Sequence, residues 1–309
     1  MKTYIHIGYP KNASTSLQTD FFPNIEGAYY LGCQYGKGAP FVSKGIQEAL
    51  YSIAMSDSID FSYQNVEEKI RHATQDIDDR FEKMIISWEA FSNNVADRGV
   101  IAERLNKLFP DANILIIIRN QMDSLQSMYA FLVQQLGKNI NLSYGRPSIQ
   151  SYEKWILGQE EFAHRSYFAT LKYYDFIAEY WSLFGKDKVT VLLFEELVNS
   201  PASFFDKMAA FLGVNCIPPP SAQKNKRPTK NQIAFYKLQA KFPGVRLSQY
   251  LPEFVINFGK KILLGSSGLR SKEELPFDVQ ERLLDLYREG NRKLQQELGI
   301  ELGKYGYIT

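Results

Sequence analysis

The segment 112–118 reads Ala-Asn-Ile-Leu-Ile-Ile-Ile, and this almost unbroken apolar run restricts the possible folds more than any other stretch of the chain. A strand with one face in water alternates apolar and polar residues, whereas a strand of a parallel sheet covered on both faces is apolar throughout. Similar short runs at 83–89 and 188–194 alternate with segments of helical periodicity. We therefore expect an α/β fold of three layers, α/β/α, with a central parallel sheet.

Helical periodicity marks segments before, between and after these strands. Apolar residues at three- and four-residue spacing predict helices over 66–81, 101–108, 168–184 and 279–294. Gly185 is expected to end the third of them. Asp123 is predicted as the N-cap of a further helix that follows the strand 112–118.

The composition excludes several classes of protein. The chain has 309 residues, of which 45% are hydrophobic and 23% charged, so it is long enough to bury a large core. Its formal net charge of +2 gives no reason to expect a nucleic-acid partner. Cys33 and Cys216 are the two cysteines, and their separation predicts free thiols rather than a disulfide framework or a zinc site. With no apolar run of about 20 residues and no signal peptide before the first strand, we expect a cytoplasmic protein without a transmembrane segment.

The N-terminal segment 3–22 predicts a strand, a loop and a helix. Gly8 and Pro10 interrupt the first apolar run, and hydroxyl-bearing residues then precede helical spacing. The N-terminus of a helix attracts anions through its unpaired N–H groups and its dipole, and Lys11 adds a full positive charge. We therefore predict a phosphate site. Its residues are Lys11, Asn12, Ala13, Ser14, Thr15 and Ser16.

The order of residues in this loop differs from the Walker sequence of ATP- and GTP-binding proteins, in which the lysine follows the glycines. The run Tyr-Pro-Lys-Asn-Ala-Ser-Thr at 9–15 instead resembles the 5′-phosphosulfate loop of sulfotransferases that use 3′-phosphoadenosine 5′-phosphosulfate (PAPS). Family members commonly have glycine where this chain has Ala13, so the loop must adopt a conformation that tolerates a Cβ there. Read by itself, the loop also fits a capped helix without a ligand.

A second motif follows the buried strand. Arg119 stands at the end of that strand and Ser127 lies early in the next helix, so both can converge on one anion. The spacing Arg-Asn-x-x-Asp-x-x-x-Ser resembles the 3′-phosphate motif of the same sulfotransferases. Taken alone, an arginine at this position would more often belong to a structural ion pair.

Glu89 is the candidate general base. It ends the strand 83–89, and the carboxyl ends of parallel strands meet at one edge of a sheet, so it is expected beside the phosphate loop. A hydroxyl acceptor loses a proton as it attacks, which requires such a group nearby. A structural ion pair is the alternative role of Glu89. His6 is the second candidate base, although its place in the first strand favours a buried, structural histidine.

Positive charge is concentrated between residues 221 and 252, where seven lysines and arginines occur and no acidic residue. In the sulfotransferases that the chain resembles, a basic loop closes over the cofactor, and Lys226 and Arg227 match that loop. A solvated basic face is the alternative. The apolar segment 254–264 is expected to be a packed helix rather than a peripheral membrane contact. The final motif, Leu-Gly-Lys-Tyr-Gly-Tyr at 302–307, resembles the close of many bacterial-type sulfotransferases.

The resemblance covers most of the chain and implies a P-loop NTPase-like sulfotransferase fold. It implies a single domain over 1–309, with a core at 1–215 and a basic loop and helical extension at 216–309. The implied enzyme uses PAPS as the sulfuryl donor and releases 3′-phosphoadenosine 5′-phosphate (PAP) without a metal. Lys11 would stabilise the departing phosphate, and Glu89 would take the proton of the acceptor.

The acceptor implied by this interpretation is a small molecule or glycan, with the hydroxyl of a saccharide or glycoconjugate as the specific expectation. Two alternatives stay open at this point. One is a nucleotide-dependent small-molecule kinase, and the other is a relative that binds the nucleotide without turnover. The oligomeric state is not predicted by the sequence.

Overall fold

The computed structural model describes residues 1–32, 44–75, 81–93, 97–138, 150–161, 166–215, 228–241 and 273–309. Cys33, Cys216 and the segment 254–264 lie outside these residues. Among the helices that are described, none is both long and apolar enough to cross a membrane.

Five parallel strands form a sheet within the described residues. They are β1 (Lys2–Ile7), β2 (Ala28–Tyr30), β3 (Lys83–Trp88), β4 (Asn113–Ile118) and β5 (Val189–Leu193). Their spatial order is β2-β3-β1-β4-β5, which places β1 at the centre. Ile7 of β1 pairs with Trp88 of β3 on one side, and with Ile116 of β4 on the other. The carboxyl ends of β1, β3 and β4 are therefore side by side.

Helices connect the strands. After β1 come a helical turn, α1 (Ser14–Ser16), a π-helical turn (Leu17–Phe21) and a 3-10 turn (Phe22–Asn24). The next helices are α2 (Lys44–Met55), α3 (Tyr63–Thr74), α4 (Ala90–Asn93), α5 (Arg98–Leu108), α6 (Gln121–Lys138) and α7 (Tyr152–Glu161). They are followed by α8 (Tyr167–Thr170), α9 (Tyr173–Phe184), α10 (Phe194–Asn199), α11 (Pro201–Leu212), α12 (Lys230–Lys241) and α13 (Phe277–Leu298). Short 3-10 turns occur at Lys186–Lys188 and Leu302–Tyr305.

The strand that most restricted the fold is buried on both faces. Leu115 and Ile117 of β4 pack in a cluster with Met208 of α11. Ile116, which points to the opposite face because successive side chains alternate, is also fully buried. Both faces of the sheet are thus covered, and the prediction of a three-layer α/β/α fold with a central parallel sheet is confirmed.

The chain forms two compact units. The first consists of Met1–Gln121, Phe162–Lys224 and Leu284–Thr309, and contains the sheet. The second consists of Met122–Glu161 and Asn225–Leu283. Within it, Lys237 forms a 3.1 Å ion pair with Glu273, and the rings of Tyr129 and Tyr152 lie 5.1 Å apart. The assignment of 1–309 to a single domain stays a prediction.

The helix predicted over 168–184 is interrupted. The structure has α8 and α9 instead, with Leu171 and Lys172 between them. Arg98 of α5 donates hydrogen bonds to the carbonyl oxygens of Ala169, at 2.9 Å, and Thr170, at 3.4 Å. In a continuous helix both carbonyls would accept from the backbone of the next turn. Here Ala169 accepts from the N–H of Lys172, at 3.4 Å, and the distant Arg98 supplies hydrogen bonds to both carbonyls. Gly185 ends α9 with a positive φ of 88°, as expected.

Two helix boundaries also differ from the sequence prediction. The helix predicted over 66–81 ends at Thr74 as α3, while Phe81 lies before β3, where its ring is 5.3 Å from that of Tyr29. Phe81 therefore packs against β2 and is not part of α3, although its spacing from the apolar residues of α3 is helical. Asp123 is not the N-cap of α6, because the helix already begins at Gln121.

Candidate active site

Three charged residues follow the carboxyl ends of the three central strands. Lys11 lies in the loop after β1, Glu89 directly follows β3, and Arg119 directly follows β4. The guanidinium of Arg119 donates a 2.9 Å hydrogen bond to the backbone oxygen of Lys11. Burial lowers the pKa of Lys11, and the charge of Arg119 adds to this shift while that of Glu89 opposes it. The structure thus brings together the three residues on which the predicted chemistry depends.

The loop after β1 has an unusual backbone. Lys11 and Ala13 have positive φ angles, 69° and 65°, in the left-handed region that favours glycine. For residues with a Cβ this conformation costs about 1–2 kcal/mol each. Ala13 is followed by Ser14 in helical conformation. A left-handed residue next to a right-handed one turns consecutive N–H groups to one side, which is a common way to bind an anion.

Side chains of the loop fasten it to the sheet. The buried amide of Asn12 donates to the backbone oxygen of Ile117 in β4, at 2.7 Å. The hydroxyl of Ser14 donates to the backbone oxygen of Tyr9, at 3.0 Å. Asn12 and Ser14 therefore hold the loop in shape, and any contact of theirs with an anion would come through the backbone. Thr15 and Ser16 are partly exposed at the start of the helical segment.

Glu89 is held close to this loop. A Cβ on Gly8 would lie 3.2 Å from the Cγ of Glu89 and 3.0 Å from the Oγ of Ser14, so a larger residue would require these side chains to move by a few tenths of an ångström. The hydroxyl of Ser92 also donates to the backbone oxygen of Gly8, at 2.6 Å. Burial raises the pKa of the Glu89 carboxyl, while the Ser14 hydroxyl and the charge of Lys11 oppose that shift. A carboxylate with a raised pKa is a stronger proton acceptor.

The guanidinium of Arg119 lies over the ring of Phe194, 4.3 Å from its centre. The hydroxyl of Tyr173 donates to the backbone oxygen of Arg119, at 2.8 Å. The predicted partner Ser127 lies in α6, in the second compact unit, so its convergence with Arg119 stays a prediction. Lys226 and Arg227 lie outside the described residues.

His6, the second candidate base, belongs to a buried polar cluster. Its Nδ1 is 2.8 Å from the hydroxyl oxygen of Ser87, the residue that pairs with it across β1 and β3. Gln18 donates to the same oxygen at 3.0 Å. Burial lowers the pKa of His6 to about 3, so the ring is neutral at physiological pH. These contacts favour the structural interpretation of His6.

The cluster of His6 gives a prediction about stability and pH. Histidine in an unfolded chain has a pKa near 6.5, so between about pH 6.5 and 3 the unfolded state binds the additional proton. The free energy of unfolding should therefore fall as the pH falls, by up to about 1.4 kcal/mol per pH unit. Urea denaturation of wild type and His6→Gln between pH 7 and pH 4 measures this slope. Substitution of the exposed His72 by glutamine serves as the control and should keep the wild-type slope. If His6→Gln also kept the wild-type slope, the assignment of this pH dependence to His6 would be wrong.

Ser87 and Gln18 were not predicted from the sequence as partners of His6. A serine inside the apolar run 83–88 was a usable signal, because a buried hydroxyl needs a hydrogen-bond partner. Gln18 offered no such signal, since its position in the π-helical turn was not predictable from spacing. Among the described residues, no group of three or more His, Cys, Asp or Glu side chains is arranged to hold a metal ion.

Comparisons with known proteins give a family match and a shared fold. Residues 98–218 match the model of the sulfotransferase family. A crystal structure of a sulfotransferase from Alicyclobacillus acidocaldarius superposes with a TM-score of 0.58 at 15% sequence identity, covering 99% of this chain and 98% of that one. No curated protein sequence matches the chain.

Two further sulfotransferase structures superpose less well, with TM-scores below 0.5. STF9 from Mycobacterium avium has a TM-score of 0.47 at 9% identity, with 97% of this chain and 77% of that chain covered. Mouse SULT7A1 complexed with PAP has a TM-score of 0.38 at 12% identity, with 94% and 85% covered. The family match over 98–218 and the fold shared with the Alicyclobacillus enzyme confirm the resemblance to sulfotransferases.

Proposed function

Because the chain has the sulfotransferase fold, we propose that it is a PAPS-dependent sulfotransferase acting on a hydroxyl group. PAPS would supply the sulfuryl group: the acceptor oxygen bonds to sulfur, the bond from sulfur to the 5′-phosphate oxygen breaks, and PAP is released. The observation that carries the proposal is the meeting of Lys11, Glu89 and Arg119 at one edge of the sheet.

The residues present fit such a donor. PAPS carries negative charge at two separate places, the 5′-phosphosulfate and the 3′-phosphate, and the site offers two cations on adjacent strand ends. Lys11 and the left-handed loop would hold the 5′-phosphosulfate, with the N–H groups of Ala13, Ser14, Thr15 and Ser16. Arg119 would bind the 3′-phosphate with its planar guanidinium. We extend this proposal to Ser127, Lys226 and Arg227 as further donor contacts.

Lys11 is proposed to stabilise the charge that builds on the leaving phosphate. It is a partly buried cation in a loop whose backbone is held by hydrogen bonds of Asn12 and Ser14. A fixed charge in a partly desolvated place acts more strongly than one in water, because no reorganisation is needed during the reaction.

Glu89 is proposed to accept the proton of the acceptor hydroxyl. Its burial raises its pKa, and the charge of Lys11 acts on it. Its side chain packs against Gly8 beside the Ser14 hydroxyl, which keeps the group next to the loop. A base held in this way supports transfer to a neutral hydroxyl.

For the acceptor we propose a saccharide or glycoconjugate in the cytoplasm. The aromatic residues of segments 32–63 and 139–167 would supply contacts to sugar rings. Transfer of labelled sulfate from PAPS to a panel of saccharides, with simple phenols in parallel, tests this part separately. Labelled phenols without labelled saccharides would refute the acceptor class and leave the donor assignment intact.

Calorimetric titration of PAP and ATP tests the donor assignment. We expect PAP to bind at least about tenfold more tightly than ATP, because ATP lacks a 3′-phosphate for Arg119. Arg119→Ala should weaken PAP binding by about 10- to 100-fold and leave ATP binding nearly unchanged. The exposed Arg292→Ala is the matched control. ATP binding equal to or tighter than that of PAP would overturn the proposal in favour of a kinase.

A further inference from the structure

The segment 305–308 packs against the turn that joins β4 to α6. The side-chain amide of Asn120 donates a hydrogen bond to the backbone oxygen of Gly306. Gly306 has a positive φ of 80°, and a Cβ there would lie 3.2 Å from the Nδ2 of Asn120. The backbone conformation thus favours glycine, and a Cβ would also require the Asn120 amide to move by a few tenths of an ångström.

A second contact involves Ile308 of the same segment. The buried side chain of Asn291 donates to the backbone oxygen of Ile308, at 2.8 Å. Asn291 also exchanges amide hydrogen bonds with the buried Gln121, at 2.7 and 3.3 Å. The two residues that immediately follow Arg119 are therefore both connected to the segment 305–308, directly or through one side chain.

Glu195 completes the network on the side of Arg119. One of its carboxylate oxygens accepts a 2.8 Å hydrogen bond from the backbone N–H of Asn120. The other accepts a 3.2 Å hydrogen bond from the hydroxyl of Tyr307, which is 3% exposed. The charge of Arg119 also acts on this carboxyl.

We infer that Tyr307 and Glu195 are positioning residues for the anion site at Arg119, an inference that rests on the proposed function. Tyr307 keeps Glu195 on the backbone N–H of Asn120, and this fixes the turn from which Arg119 extends. Arg119 is thereby held over Phe194, in a defined position to meet the 3′-phosphate of PAP. Neither Tyr307 nor Glu195 needs to touch the donor.

The neighbouring tyrosine provides a matched control. Tyr305 donates to Glu196 at 3.3 Å, and Glu196 pairs with Lys207 at 2.7 Å. Tyr305 and Tyr307 thus lie on the same segment and donate to adjacent glutamates. Glu195, the partner of Tyr307, is the one that accepts from the N–H of Asn120.

The experiment compares PAP with adenosine 5′-phosphate (AMP), which differs from it by the 3′-phosphate alone. Dissociation constants are measured by competition calorimetry for wild type, Tyr307→Phe, Tyr305→Phe and Asn120→Ala. We expect Tyr307→Phe to weaken PAP binding by about fivefold, as for the loss of one hydrogen bond, with AMP binding changed less than about twofold. Asn120→Ala, which removes the contact with Gly306, should show the same selectivity, and Tyr305→Phe should bind both as wild type does.

Equal weakening of PAP and AMP by Tyr307→Phe would indicate a general loss of structure and overturn the inference, as would unchanged binding of both. Urea denaturation of each variant shows whether it is folded, and Asn120→Ala tests the same network if Tyr307→Phe is not. Failure of the proposed function gives a different result, because wild type would then bind PAP no more tightly than AMP.

Discussion

Replacing Lys11 with alanine should lower the rate constant for sulfuryl transfer by about 10³-fold, which is the effect of removing one fixed group that stabilises transition-state charge. The ammonium is the cation of the loop after β1, and its burial makes its charge more effective than that of a surface lysine. The KM for PAPS should rise as well, since the same group binds the phosphosulfate. Initial rates measured over a range of PAPS concentrations separate the two effects.

Lys188→Ala is a suitable control for this experiment. Lys188 is also a lysine near a strand of the sheet, but it precedes the amino end of β5, at the edge of the sheet opposite the candidate site. It pairs with the exposed Asp111 at 3.1 Å. It should retain the wild-type rate. If Lys11→Ala retained a rate within about tenfold of wild type, the assignment of Lys11 to the leaving group would be wrong.

Replacing Glu89 with glutamine should slow transfer by about 10²- to 10⁴-fold, the usual range for loss of a general base. Binding of PAP should be almost unchanged, because the amide keeps the shape of the carboxyl group and both Lys11 and Arg119 remain. This separation of rate from affinity is what distinguishes a base from a residue that binds the donor. Stopped assays of the rate and calorimetry of PAP binding measure the two quantities.

The pH dependence gives a second measurement for Glu89. Only the deprotonated carboxylate accepts a proton, and burial raises its pKa above the ordinary value of 4.5. The wild-type rate should therefore fall as the pH falls through this raised pKa, and the residual rate of Glu89→Gln should lack that decrease. Glu82→Gln, at an exposed site on the opposite end of β3, is the control. Transfer by Glu89→Gln at the wild-type rate would refute the role as base.

The central part of the site was predictable because its three residues each follow an apolar run. The apolar runs that end before Lys11, Glu89 and Arg119 indicate parallel strands. The residues that follow parallel strands lie at the same edge of the sheet, where the carboxyl ends of the strands meet. The pairing of β1 with β3 and β4 brings the three residues close together. Their proximity could therefore be predicted without knowing the side-chain contacts. The assignment of roles to these residues stays a prediction until the variants are measured.

Contacts between distant segments were not predictable in the same way. Asn120 and Gly306 are separated by 186 residues, and Arg98 reaches the carbonyl of Ala169 across 71 residues. Such contacts leave no periodicity in either segment, since each depends on the packing of the whole fold. For this reason the interruption between α8 and α9 and the network of Tyr307 became visible only in the structure.

The left-handed backbone at Lys11 and Ala13 has a consequence for the thermodynamics of ligand binding. A glycine at position 13 would sample many backbone conformations both before and after folding. Alanine restricts the backbone conformations that the loop can adopt. The chain therefore loses the conformational entropy of this loop while it folds. Little of that entropy remains to be lost when an anion binds, so the entropic cost of ordering the loop during binding should be small.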